Sequence, residues 1–145
     1  MTSPYRYLEG IATADVAFEA WGPTPEDVFL AAADATLNTM VEEIGTVAPR
    51  EHREISIAAD ALDLLLLELL QELVYHKDAE RLLLRVRDLR IEETGSGYRL
   101  QAEAIGETID PGRHALLADV KAVTLHRLVV EKTTDGWHAI VVLDV

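Results

Sequence analysis

Cysteine is absent from this sequence. That excludes a disulfide framework, a thiolate metal centre and a cysteine nucleophile. Aromatic residues are scarce, at 6% against 49% hydrophobic residues overall, so the core must be built from Leu, Val, Ile and Ala. Basic side chains are outnumbered, 13 Lys and Arg against 26 Asp and Glu, for a formal net charge of −13. Such a chain is repelled by a phosphate backbone, which argues against direct nucleic-acid binding and leaves a basic partner open. Long apolar runs are missing too. No run, the leucines of Leu64 to Leu67 included, approaches the roughly 20 residues a membrane-spanning helix needs. The opening M-T-S-P-Y-R-Y-L-E has no basic region followed by an apolar one and so does not read as a signal peptide. The expectation is a cytoplasmic protein with no membrane association.

What is present suits one domain over residues 1–145 with one substantial core. Tyr5 to Leu8 begins a strand. Thr13 to Trp21 alternates, with Val16, Phe18 and Ala20 on one side and Asp15, Ala17 and Glu19 on the other, as a half-buried strand requires. Thr24-Pro25-Glu26-Asp27 is a helix start: a capping hydroxyl, a proline at the first position and two acids at the positive end of the dipole. That helix is predicted to reach about Glu42. Arg53 to Ala59 is a further strand, and Asp60 is the expected cap of a second helix. Its body, L-D-L-L-L-L-E-L-L-Q-E-L-V-Y, is apolar nearly all round. Such a helix either packs centrally between the sheet and the first helix or reserves a face for a partner.

Strands dominate the rest. Leu82 to Ile91 loses its alternation near Asp88, which predicts a bulge. Gly95-Ser96-Gly97 turns it into a hairpin partner over Tyr98 to Ile105. After a loop containing Asp110-Pro111-Gly112, Val120 to Lys132 is a long or bent strand, and Asp135-Gly136 leads into a last strand, Trp137 to Val145. The fold class this order indicates is α+β, with two helices on one face of a mixed, largely antiparallel sheet, forming a single pair of layers.

Nucleotide-binding glycine loops, a nucleophile elbow and the H-E-x-x-H zinc motif are all missing. The five histidines are scattered; His126 and His138 are the pair that could meet across the last hairpin, against the plainer reading of two half-exposed strand residues. Among the acids, Asp15 and Asp144 stand apart because each flanks an apolar strand. If those strands are neighbours, two carboxylates meet beside the α-carboxylate of Val145. An all-oxygen set of that kind suits a hard cation such as calcium or magnesium; otherwise the two aspartates simply face water. Lys121, in D-V-K-A-V-T-L-H, shares strand parity with Val123 and Leu125. It is either an edge lysine that discourages sheet aggregation or a cation set beside the carboxylates or a partner's acid.

These segments together resemble the archease family. The family's His-Thr-Ala-Asp signature corresponds to Ala12-Thr13-Ala14-Asp15, followed by Ala20-Trp21-Gly22 and the acid-capped helix from Thr24. The acidic Leu-rich helix is represented by Leu67-Glu68-Leu69-Leu70. The pattern His-x-Leu, then Val-Lys-Ala-x-Thr-x-His, is met by His114-Ala115-Leu116 and by Val120 to His126, and the Leu-Asp-Val close by Leu143-Asp144-Val145. The sequence departs from the family at Ala12, where a histidine is expected, with Gly10 and Ile11 as extra residues before it. No role is assigned to that position.

The resemblance implies a protein cofactor rather than an enzyme. Archeases assist an RtcB-type RNA ligase, which uses GTP and manganese, in tRNA splicing and RNA repair; they promote guanylylation of the ligase histidine and support multiple turnover. It also implies a divalent metal ion, calcium, held by Asp15, Asp144 and Val145, and a family lysine at Lys121. The alternatives from other classes are a small metal-dependent hydrolase using the same acids and an acidic adaptor that carries no metal.

Overall fold

A computed structural model describes residues 4–9 and 15–145. The Ala12-Thr13-Ala14 part of the signature lies outside the described residues. The elements are strands β1 (Tyr5–Leu8) and β2 (Asp15–Gly22), helix α1 (Pro25–Met40), a 3-10 turn (Ile44–Thr46), β3 (Glu51–Ala59), helix α2 (Leu62–Glu80), then β4 (Leu82–Thr94), β5 (Gly97–Thr108), β6 (Ala122–Thr133) and β7 (Gly136–Asp144). The α+β class is the one observed.

The strands divide between two sheets, of order β1-β2-β7-β6 and β3-β5-β4. Every pairing is antiparallel. Each sheet grows from a tight hairpin, β6–β7 or β4–β5, to which earlier strands add. A hairpin closes a short loop at little entropic cost, so it is the natural seed for strands that arrive from far along the chain. The bulge expected near Asp88 is present as a register shift between Val86 and Asp88.

Both helices bridge the sheets. α1 touches β1, β2 and β7 of one and β4 of the other, while α2 touches β6 and all of β3, β4 and β5. The Thr24 side chain caps α1 by accepting from the Asp27 N–H, as its sequence predicts. The helix stops at Met40, two residues before the expected Glu42, because Val41 turns extended and bridges to Leu116. α1 is the more enclosed helix. The stripe of Val28, Ala31, Ala32 and Ala35 widens to include Phe29, Leu37 and Met40, and small alanines let strands approach from two sides. α2 instead keeps an exposed face that includes Leu64, Glu68, Gln71 and Tyr75. Its cap position is Ala61 rather than Asp60. No side chain caps it, and Asp63 in the first turn bonds the Leu64 N–H instead. No helix among the described residues is long and apolar enough to cross a membrane.

The close approach of β4 to β5 depends on Gly106, where an added Cβ would overlap the Leu83 carbonyl oxygen. A backbone atom cannot swing aside as a side chain can. We expect Gly106→Ala to destabilise the fold by about 3 kcal/mol in urea denaturation, through overpacking. Gly45→Ala, with nothing within 4 Å of the new carbon, should stay within about 0.5 kcal/mol of the parent.

Candidate functional site

The last strand, whose apolar residues made it a candidate for a paired position, lies between β2 and β6. Its register with β2 sets Asp15 directly opposite Asp144. Residues so paired share a face, with Cβ atoms about 5 Å apart. On the other side of β7, Ala122 stands opposite Asp144, and the Lys121 N–H donates to the Asp144 carbonyl at 2.8 Å. Val145 follows immediately. The four positions singled out in the sequence therefore gather at one end of the four-stranded sheet.

Alternation fixes which way the aspartates face. Leu143, next to Asp144, is fully buried in the core, so Asp144 and its partner Asp15 face away from it. Both are half-buried. Beside them on that outer face lie Ala17 and Val142, exposed by 1% and 0%. Two carboxylates opposed across strands are mutually destabilising, more so beside apolar neighbours, and a shared cation relieves that. The donor chemistry fits a hard divalent ion: carboxylate oxygens with main-chain oxygens alongside, and no nitrogen or sulfur. Among the described residues no group of three or more His, Cys, Asp and Glu side chains forms a potential metal cage. Asp15, Asp144 and Val145 would thus supply part of a coordination shell.

Lys121 reaches this point by its main chain. It is exposed and precedes β6, so the parity that placed it among buried neighbours does not extend to it. The reason lies in Lys77 on α2. Its buried ammonium donates to the Val120 carbonyl at 2.7 Å, pairs with Asp78 at 2.7 Å, and also holds Asp119. Burial opposes the charge, but the bonds to Asp119 and Asp78 outweigh it and raise the Lys77 pKa. Upstream, the same segment is stitched to the end of α1 by Leu117 N–H to Met40 carbonyl, 2.9 Å, and Ala118 N–H to Thr39 carbonyl, 3.1 Å.

The comparisons with known proteins follow this geometry. The model of the Archease protein family (MTH1598/TM1083) matches residues 5–145. The chain belongs to the archease family. It is 37% identical to Protein archease of Pyrococcus abyssi over 134 residues, covering 92% of this chain and 94% of that one. To Protein archease of Methanosarcina acetivorans it is 38% identical over 144 residues, covering 97% and 95%. Among solved structures, the solution structure of Methanobacterium thermoautotrophicum protein 1598 superposes with a TM-score of 0.85 at 30% identity, over 99% of this chain and 100% of that one. A Thermotoga maritima archease, described as a possible chaperone, shares the fold, with a TM-score of 0.64 at 18% identity over 92% and 93%.

Of the archease-pattern histidines, His126 follows the plainer sequence reading, and His114 is more enclosed than its loop position suggests. His126 lies in the irregular part of β6 and does not meet His138, which sits opposite Glu131 and bonds Glu19 at 3.0 Å. His114, read as a loop residue, is buried. Its Nδ1 accepts the Asp110 N–H at 2.9 Å, so Nε2 carries the proton and donates to Glu107 at 3.0 Å. Both ring nitrogens are committed, leaving no free lone pair for a proton-transfer role. Lys77 and Glu107 were not singled out in the sequence. A signal existed for the lysine: it continues the Leu66, Leu70, Leu73 stripe at helical spacing.

Glu107, only 3% exposed, anchors the start of the segment that delivers Lys121. The Arg113 guanidinium beside it, the Ala48 N–H at 2.6 Å and His114 hold its carboxyl well down, at about 2 against an ordinary 4.5. The folded value is depressed, so this stabilisation is complete above about pH 4.5 and is lost as pH falls toward 2. We expect Glu107→Gln to flatten the loss of stability across that window, read from urea midpoints at successive pH values. Glu107→Ala, which strands the His114 and Ala48 donors, should cost about 3 kcal/mol at pH 7.

Proposed function

We propose that this archease-family chain is a protein cofactor of an RtcB-type RNA ligase. In this reading it promotes guanylylation of the ligase and its repeated turnover in tRNA splicing or RNA repair. The observation that carries the reading is the register of Asp15 opposite Asp144, with Lys121 bonded through its main chain to the same aspartate. A divalent cation, calcium on the family resemblance, is held by the Asp15 and Asp144 carboxylates and the main-chain oxygen of Val145. Calcium takes about six to eight oxygens, so this set leaves room for water or for ligands from a partner. A cation bound this way neutralises the two carboxylates and presents its remaining positions outward. Lys121, exposed at the rim, is the residue that meets the ligase.

Charge supports the same partner. With a formal net charge of −13 the chain is attracted to the basic surface that an RNA-handling enzyme carries. The hydrolase alternative needs a general base beside the acids. His114, which opens the segment carrying Lys121, has both ring nitrogens engaged.

The test is a guanylylation and multiple-turnover ligation assay with the RtcB-type ligase, GTP and manganese. The Asp15→Ala, Asp144→Ala double variant should keep its circular dichroism spectrum and lose at least tenfold in stimulation. Calorimetry with calcium should show binding to the parent and none to the variant. Full stimulation by the double variant would overturn the reading.

A further inference from the structure

The far end of the same sheet holds a second feature, in which the aspartate pair takes no part. Arg6, Glu19, His138 and Glu131, one from each strand in the order β1-β2-β7-β6, form a polar ladder across the outer face. Arg6 pairs with Glu19, and His138 lies 3.0 Å from Glu19 and 3.5 Å from Glu131. The His138 bond, then Arg6, depress the Glu19 pKa, so this carboxylate is ionised at neutral pH.

Next to the ladder lies a cavity of about 440 Å³, within the size range of ligand sites. Glu19, Trp21 and His138 share the outer face, because Trp21 pairs with His138 and lies two residues from Glu19. Pro23, Asp135 and Trp137 complete the wall. Trp21 is the tryptophan whose indole faces this cavity, while Trp137, one residue from His138, turns its ring toward the core. Its shape depends on Gly136, whose φ of +147° folds the β6–β7 turn onto the end of β2. An added Cβ there would come within 2.6 Å of the Gly22 carbonyl.

The lining contains no lysine or arginine. It combines the Trp21 indole with the carboxylates of Glu19 and Asp135, a surface complementary to a cation. A flat guanidinium stacks on an indole while its edge bonds carboxylate, which an ammonium does less well. The Glu19 carboxylate has lone pairs to spare, since Arg6 takes Oε1 and His138 Oε2. The geometry points to this cavity as a receptor for an arginine side chain from a basic segment of a protein partner. The charge excess of the whole chain favours such a segment.

The Trp21 indole N–H signal gives a direct readout in 1H–15N spectra of the isolated, full-length protein. The probe is the blocked tripeptide Gly-Arg-Gly, with Gly-Lys-Gly, Gly-Glu-Gly and adenosine monophosphate as controls. The Trp21 signal should shift saturably with the arginine peptide, and the lysine peptide should bind at least threefold more weakly. Trp21→Ala, followed on the backbone amide signals of Gly22 and Gly136, should weaken binding at least tenfold. Asp135→Asn, a turn substitution that leaves the strands untouched, should weaken it about threefold. The Asp15→Ala, Asp144→Ala variant should bind the peptide as the parent does, which keeps this test separate from that of the ligase role. No saturable shift, an undiminished shift in Trp21→Ala, or an equal response to the acidic peptide or the nucleotide would each overturn the inference.

Discussion

The antiparallel pairing of β2 with β7 is the constraint on which the rest depends. It runs from Asp15 opposite Asp144 to Gly22 opposite Trp137. A slip of one residue would turn Phe18, Val141 and Leu143 out of the core, where all three are fully buried. Their burial contributes roughly 1.5–3 kcal/mol each. Like charges directly opposed on a sheet cost about 1 kcal/mol or less. Burial therefore wins, and the two carboxylates are held together by forces that have nothing to do with them. The cation proposed above would answer a repulsion that the core has already imposed.

A second set of contacts brings the remaining piece. The segment between β5 and β6 contains little regular structure, yet it is fixed at both ends by buried ionic groups, Glu107 with His114 and Lys77 with the Val120 carbonyl. Between them it borrows main-chain partners from the end of α1. This arrangement satisfies backbone groups that a loop buried against helices would otherwise leave unpaired. It also places Lys121 at the edge of β7 without making it part of a strand.

Local signals were legible in the sequence and long-range ones less so. The Thr24 cap, the Gly95 and Asp135 turns and the bulge before Asp88 are encoded by residues within a few positions of one another, and the structure contains all of them. The division into two sheets is not encoded that way. Whether β3 joins β5 or β2 is decided by how the helices pack between them, and alternation within a strand says only which residues face inward. The aspartate pair was legible because it sits where apolar strands meet their ends. For Lys121 the sequence pattern starts the strand at Val120 rather than Ala122, because the stretch before β6 is set by the tertiary contact with Lys77. The burial of His114 was not legible for a related reason: a histidine after Asp-Pro-Gly reads as a loop residue, and its contact with Glu107 is tertiary.

The irregular stretch of β6 bears on how these molecules behave when crowded. β6 borders its sheet, and such borders invite a neighbouring molecule to add a strand. Here the register breaks between Thr124 and Val129, Arg127 adopts a left-handed conformation, and Gln71 accepts the Val123 N–H. A straight incoming segment finds no continuous row of free amides to match. Exposed Leu125 is thereby displayed on a kinked border that resists edge-to-edge polymerisation.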